Sequence, residues 1–511
     1  MRLLLLTGEL AASRVEEEAT RIRRLGYEAE VLVLGIKVAS LMSVRWLRRA
    51  LQPYRGLLGK YDLVVLPGYT MGSASELEEE FGIRFVKGTK HICDLAHALK
   101  HLSPSDLSPE APADLLLREA LDPGARLEEL EASLEDFIEV GEVRVPVRPP
   151  PMRVISEIYY GPGVSLEDLL HECERRLGAG ADIICLGLKD PASVGLGELR
   201  RILRPLRDLA PSLALDDPLP GHVGEGLRLG VDLILSITQE NLSHLRSLDP
   251  DAAYVLVPPA GRSASEKISI LKEMALELEE AGVRKILLDP LLMPPVEPGL
   301  FESLKAYDLL RGEIPDRPLL MGLCNAVEFL DADSPGVIAC LTALAGELGV
   351  STLLITEESP KTYGATGEAS SAAKMVSLAL GGRKQPKDLG VDLLVLKEKT
   401  RRELGLPPSF LRGARPVECE DRPLGGRLDP LGFFRISLDR RSRRILAFYE
   451  GRRGRLLLKG ATARAILGKV LELGLISTEE HLAYLALELG KAEIALRVGR
   501  SYVQDEPLFQ E

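Results

Sequence analysis

Two residues carry the clearest chemical signal in this sequence. Asp289 ends the apolar run Ile286-Leu-Leu288 and is followed at once by Pro290, with Pro294 and Pro295 close behind. A run this short, stopped by proline, reads as a buried parallel strand, so its acid stands where the strand opens into a loop. Further on, Pro318-Leu-Leu-Met-Gly-Leu-Cys-Asn325 repeats the pattern with an amide at the exit. Other apolar runs end in the same way, at Glu157, at Lys189 and Asp190, at Asp216 and Asp217, at Ser236 with Asn241 just beyond, and at Glu357. Taken singly, such an acid is more often a helix cap or a turn residue, and Asp289 before Pro290 could simply start a turn. Together they suggest one mouth lined by carboxylates and amides. Carboxylates accept hydrogen bonds and amides both donate and accept, which suits a neutral heterocycle rich in N–H and C=O groups.

The elements that must position these residues form a regular beat. Eight apolar strand candidates cover 153–159, 182–187, 212–216, 231–236, 253–257, 285–289, 319–323 and 352–356. Helical patterns fall between most of them, at 166–177, 196–209, 265–281, 300–310 and 336–348. That alternation predicts an α/β protein built on a central (β/α)8 TIM barrel over 152–383, with polar strand ends at its carboxyl face. An open doubly wound sheet is the alternative, and eight repeats favour closure.

Before the barrel, strands at 2–6, 29–34 and 61–66 alternate with helical stretches at 14–25 and 40–51, which predicts a small parallel α/β domain of flavodoxin or Rossmann type over 1–100. Its first loop, Thr7-Gly-Glu9, lacks a GxGxxG fingerprint, so no dinucleotide site is read there. Pro67-Gly-Tyr-Thr-Met-Gly72 ends the third strand as a turn that could also approach a ligand. Residues 101–151 read as a proline-rich connector with an acidic helix near 126–138, and 384–428 as a second connector with one strand at 391–396. A small α+β domain is expected over 429–511, with a hairpin at 433–438 and 444–448 and helices at 461–473 and 478–497.

Bulk properties narrow the field. A formal net charge of −12 argues against general binding to nucleic acid or anionic membranes. No apolar run reaches the length of a membrane span, and the apolar start at Met1 is too short for a signal peptide. The six cysteines show no CxxC spacing, so no zinc or other metal site is expected and a reducing cytoplasm fits. The chain has only two asparagines, Asn241 and Asn325, and five glutamines. Depletion of thermolabile amides amid abundant charge is a thermophile signature, and it makes a retained Asn worth explaining.

The barrel segment resembles the pterin-binding family of dihydropteroate synthases and pterin-dependent methyltransferases. The resemblance rests on Gly180-Ala-Asp-Ile-Ile184, Ala214-Leu-Asp216, Gly230-Val-Asp-Leu-Ile-Leu-Ser236, Leu288-Asp-Pro290 and Met321-Gly-Leu-Cys-Asn325. The whole chain is similar to the archaeal dihydropteroate-synthase-like proteins, which flank the barrel with an α/β domain and a small C-terminal domain. The resemblance implies that Asp216 and Asp289 hold the amino-pyrimidinone ring of a pterin, with Glu157, Ser236, Asn241 and Asn325 around it.

The sequence departs from the synthases at three places, one of them near Leu235-Ser236, where their usual Asn after strand 4 is replaced. Cys185-Leu-Gly-Leu-Lys-Asp190 stands where their Asp-x-Gly-Gly-x-Ser loop follows strand 2, and Cys324-Asn-Ala326 replaces their Ser-Arg-Lys. Asp289-Pro-Leu-Leu-Met-Pro294 and Gly322-Leu-Cys-Asn325 look more like the folate:corrinoid methyltransferases, whose Asn hydrogen-bonds near N5. The resemblance therefore implies a reduced pterin of tetrahydrofolate or tetrahydromethanopterin type as substrate, with Asn325 and Asp289 in the catalytic centre. The methyl acceptor would be a thiol or a corrinoid protein. This chain has no Asp-x-His-x-x-Gly motif, so any corrinoid would come from a partner. Barrels of this family often pair, so a homodimer is an expectation. Two other readings compete. A synthase would condense a dihydropterin-methyl diphosphate with an arylamine and would need mouth cations such as Lys189 and Lys361. A pterin-binding scaffold would do no chemistry.

Overall fold

The computed structural model of the protein describes residues 1–115, 122–217, 219–242, 248–398, 406, 408–419 and 429–509. The chain divides into two compact units, Met1–Glu357 with Gly364–Leu393, and Glu358–Tyr363 with Leu394–Glu511. Among the described residues no helix is long and apolar enough to cross a membrane.

The first unit opens with β1 (Arg2–Thr7), β2 (Glu28–Val33), β3 (Leu63–Leu66) and β4 (Phe85–Lys87), a parallel sheet in the order β2-β1-β3-β4. Side chains alternate across a strand. Leu3 and Leu5 therefore bury against one helical layer, which includes Val15 and Ile22, while Leu4 and Leu6 bury against the other, which includes Leu47 and Leu77. A strand with both faces covered has to be apolar throughout, and this is why residues 3–6 read as unbroken leucine.

The acidic helix expected over 126–138 ends at Ala132; its N-cap is Asp122, whose carboxylate accepts from the Ala125 N–H. Residues 137–146 instead form an antiparallel hairpin of β5 (Phe137–Val140) and β6 (Val143–Pro146). Val140 and Val145 join the core inside the barrel. The hairpin is pinned at the amino ends of the barrel strands. Arg153 Nε donates to the Arg144 carbonyl at 2.7 Å, and Ser351 Oγ to the Pro146 carbonyl at 2.5 Å. It thus closes the end of the barrel opposite the carboxyl mouth.

Eight parallel strands follow: β7 (Arg153–Tyr160), β8 (Ile183–Leu188), β9 (Leu213–Asp216), β10 (Leu233–Ile237), β11 (Ala253–Leu256), β12 (Ile286–Leu288), β13 (Leu320–Gly322) and β14 (Thr352–Thr356). Their order is β12-β11-β10-β9-β8-β7-β14-β13, and a parallel bridge from Leu288 to Leu319 joins the two ends into a closed barrel. The expected (β/α)8 architecture is the observed one. Ile155, Ile183, Cys185, Ala214, Leu233, Val255, Leu287 and Leu320 fill the interior. The alternate positions, such as Val154, Ile184, Leu215 and Leu288, pack outward against the helices. Two residues beyond an interior side chain, the strand again points inward. Counting on from Ile155, Ala214 and Leu287 places Glu157, Asp216 and Asp289 on the interior face at the carboxyl ends.

The second unit contains β15 (Gly432–Asp439), β16 (Arg444–Gly451) and β17 (Gly454–Gly460) as an antiparallel sheet, with helices at Ala463–Glu472 and Glu479–Val498. β17 went unanticipated, because its alternation is masked by the Leu456-Leu-Leu458 run. Leu485, Leu489 and Ala492 are buried, so that apolar stripe is core. The strand expected at 391–396 is not formed; Leu394, Val395 and Leu396 are exposed there. Parts of that connector, 399–405 and 420–428, lie outside the described residues.

Candidate functional site

Asp289 leaves β12 as a buried carboxylate. Pro290 follows and has no N–H to continue the ladder. Leu291 then takes a left-handed conformation, φ 67°, and turns its own N–H back to Asp289 Oδ1 at 2.8 Å. A branched residue with positive φ is strained and persists only where its surroundings over-determine it. Here they do. The hydroxyl of Tyr307, a fully buried residue of the helix Leu300–Glu313, donates to the same Oδ1 at 2.6 Å. Lys267, buried on the helix Ala264–Glu280, donates from Nζ to the Pro290 carbonyl at 2.8 Å. Burial pushes the Asp289 carboxyl up to about 6, although the Tyr307 hydroxyl, the Leu291 N–H and the Lys267 charge all favour its ionised form. Both described hydrogen bonds end on Oδ1, which leaves Oδ2 as the oxygen for a ligand to address.

Asn325 lies on the short helix Cys324–Val327, directly beyond β13. Gly322 makes room for it, since a Cβ there would sit 3.3 Å from the Asn325 amide nitrogen. Asn325 Nδ2 donates to the Leu292 carbonyl at 3.1 Å. The two leading candidates therefore share one construction, in which the amide of the β13 loop holds the loop that carries Asp289.

A second group lies across β7 to β10. Asp216, half-buried, is raised by burial, drawn back by a hydrogen bond from Ser236, and raised again by neighbouring Asp217. Ser236 has φ 56°, and the pairing of β10 with β11 shifts register at this point. Leu235 belongs to the interior layer, so regular alternation would turn Ser236 outward. The kink instead presents its hydroxyl to Asp216. Asn241 stabilises the kink: its Oδ1 accepts from the Thr238 N–H at 2.7 Å and its Nδ2 donates to the Ser236 carbonyl at 3.1 Å. Glu157 is buried and accepts from the Tyr159 hydroxyl at 2.9 Å. Gly187 pairs with Tyr159 across the ladder, and a Cβ there would stand 2.4 Å from Glu157 Oε1. Between the two acids sits Cys185, its thiol pushed well up by burial first and then by Glu157 and Asp216.

The remaining strand-end residues serve other ends. The Glu357 side chain is wholly buried and accepts from the N–H groups of Gly364 and Thr366 and from Arg175, at 2.8, 3.0 and 2.6 Å. Burial alone would raise its carboxyl, but Arg176, the Gly364 N–H and Arg175 hold it below the usual range. It anchors the start of the helix Ala365–Gly381. Asp217 pairs with His222 Nδ1 at 2.5 Å and accepts from the Leu219 N–H, which fixes the helix Pro220–Arg228. Lys189 is exposed, with Nζ 5.5 Å over the Tyr159 ring. Lys361 is half-buried in the loop 358–363, which belongs to the second compact unit. Tyr307 and Lys267 were not singled out from the sequence. Each sits in a helix whose pattern gives no reason to set it apart, and only packing brings it to Asp289.

Comparison with known proteins adds identity to this geometry. Residues 428–505 match the family described as PterinBD-DUF4346, and residues 1–90 match a family of unknown function, DUF6513. Among solved structures, the dihydropteroate synthase of Thermus thermophilus is 20% identical, covering 46% of this chain and 97% of that one with a TM-score of 0.37. The Burkholderia cenocepacia enzyme complexed with 7,8-dihydropteroate is 18% identical, covering 49% and 98% with a TM-score of 0.39. An uncharacterized protein of Methanocaldococcus jannaschii is 30% identical over 531 aligned positions, covering 100% of this chain and 99% of that one. With that identity along both chains, the protein belongs to the same family as the uncharacterized M. jannaschii protein.

Proposed function

We propose that the barrel mouth binds a reduced pterin, of tetrahydrofolate or tetrahydromethanopterin type, and catalyses transfer of a methyl group from its N5. The observation that carries this reading is Asp289. It is a buried carboxylate fixed through Oδ1, at the carboxyl end of a barrel strand, with a neutral amide tied to its own loop. The ring's amino group and adjacent N–H would donate to the carboxylate, and such charge-assisted pairs orient a flat heterocycle strongly. Asp216 with Ser236 would meet the ring from the opposite wall.

In the transfer, the N5–methyl bond breaks as a bond forms to the acceptor, a thiolate or the corrinoid of a partner protein. The electron pair stays on N5, which takes up a proton. A protonated amine is the better leaving group, so a residue that steadies N5 as it gains a proton favours the step. Asn325 suits this role, because an amide can accept from a protonated N5 and carries no charge to repel it. Tight binding of methylated tetrahydropterin in calorimetry supports the reading. Preference for dihydropterin-methyl diphosphate would replace it with the synthase reaction.

Tyr307→Phe gives a finer check. Loss of the hydroxyl removes a donor that favours ionised Asp289, so the carboxyl titrates higher. The acid limb of pterin binding, expected near pH 6, moves up by roughly one unit, the scale of one hydrogen bond to a charged group. Binding measured from about pH 5 to 8, a window that brackets this limb, reads the shift directly. An unmoved limb would mean that the hydroxyl does not hold the charge.

A further inference from the structure

The sheet β2-β1-β3-β4 reverses its direction of growth between β1 and β3. In open parallel sheets, ligands bind in the crevice at such a switch, outside the carboxyl ends of the strands. Here that crevice is a cavity of about 900 Å³, lined by the loops after β1, β3 and β4, by residues 37–40, and by Gln385 and Lys387. The size lies within the range of small-molecule sites, about 300–1,000 Å³.

Its charge sets it apart. Among the described residues the lining contains Arg14, Lys37, Lys90 and Lys387 and neither Asp nor Glu, with the Asp114 and Asp388 carboxylates bonded to lining residues from outside it, in a chain whose net charge is −12. Beside these cations, large apolar side chains remain in water: Leu10 is 73% exposed, Met71 61% and Val38 39%. Apolar surface next to a cationic wall fits a ligand with a ring at one end and an anion at the other.

The main chain narrows the choice. The N–H groups of Glu9 and Leu10 donate to the carbonyls of Ile36 and Lys37, and those of Gly68 and Thr70 to the carbonyls of Thr89 and Pro67. These loops bond to one another and form no amide cradle of the dinucleotide kind, in keeping with the missing glycine fingerprint. The anion must therefore be met by side chains. Lys90 lines the cavity, and its main-chain N–H donates to the Asp114 carboxylate at 2.6 Å, which fixes its backbone there. Tyr69 is fixed as part of the wall by its bond to Asp388, with the Lys387 ammonium 5.5 Å from its ring centre.

The geometry points to a second ligand site in the N-terminal domain, for a phosphate monoester of a ring compound of mononucleotide size. The inference is independent of the barrel reading. Calorimetry on the full chain tests it with adenosine monophosphate, flavin mononucleotide, adenosine, riboflavin and inorganic phosphate as probes. At least one monophosphate is expected to saturate the site below about 1 mM. Its dephosphorylated form and phosphate alone should each bind at least about tenfold more weakly. Lys37→Glu and Lys90→Glu should each weaken it by about tenfold or more, and rising salt should weaken it too. Lys37 is exposed, so its reversal leaves the fold intact, which circular dichroism verifies. Asp289→Asn should leave this binding unchanged and Lys37→Glu should leave pterin binding unchanged, which separates failure of one site from failure of the other. No saturation by either monophosphate, equal binding of the dephosphorylated ring, or wild-type affinity in Lys37→Glu would each overturn the proposal.

Discussion

Asp289→Asn is expected to weaken binding of a reduced pterin by about 1–3 kcal/mol and, at neutral pH, to make the protein more stable. Both effects have one cause. The carboxyl titrates at about 6 against an ordinary value of 3.8 because burial disfavours its charge. A group that holds its proton more tightly folded than unfolded contributes most below the unfolded value, and that contribution is lost as pH rises through the folded one. At neutral pH the ionised carboxylate therefore opposes folding, and a displacement of this size corresponds to about 3 kcal/mol. Asparagine keeps an oxygen to accept from Tyr307 and Leu291 but has no charge to desolvate. Part of the gain is lost where its NH2 group replaces Oδ2, so about 1–3 kcal/mol of stabilisation is expected. The same NH2 faces the ring's donors and cannot accept from them. Urea unfolding and pterin titration on one variant give both numbers. A variant that is both less stable and unchanged in affinity would make Asp289 a turn residue only.

Asn325→Ala is expected to slow single-turnover demethylation of the pterin by about 10- to 100-fold, with a smaller loss of equilibrium binding. A hydrogen bond that strengthens as N5 becomes a leaving group acts on the rate more than on the affinity. The structure adds a contribution to binding, since the amide also donates to the Leu292 carbonyl and so steadies the Asp289 loop. Loss of one such bond accounts for about 1 kcal/mol, a several-fold change in affinity. A control separates the two roles. Leu292→Ala keeps the carbonyl and trims only the buried side chain beside it, so it tests loop packing without touching the amide. Loss of affinity in Asn325→Ala with an unchanged rate constant would make the residue a positioning residue and favour the synthase reaction.

The eight barrel strands were legible in the sequence to within a few residues at each end, because a strand buried on both faces has to be an apolar run and a run has ends. The polar residues at those ends were legible for the same reason. The sequence by itself thus determined the barrel, its mouth and the acids that face it. It could not distinguish which acids serve the fold. Glu357 and Asp289 look alike as strand-end carboxylates. One is matched by Arg175, Arg176 and a helix start, and the other is held from one side only. That difference arises from residues far apart in the chain, whose meeting no local pattern encodes.

The same limit explains the other departures. Residues 391–396 have strand-like composition, but among the described residues no strand pairs with them, and a strand exists only where a ladder partner satisfies its backbone. The 137–146 hairpin carries no distinctive signal in sequence, and becomes the barrel's closed end only because Val140 and Val145 meet its interior layer. Asn241, conspicuous for its rarity, commits both ends of its amide to the kink at Ser236. Tertiary structure decided these roles because a hydrogen bond or a burial site depends on which groups come within reach, and reach is set by the packed fold.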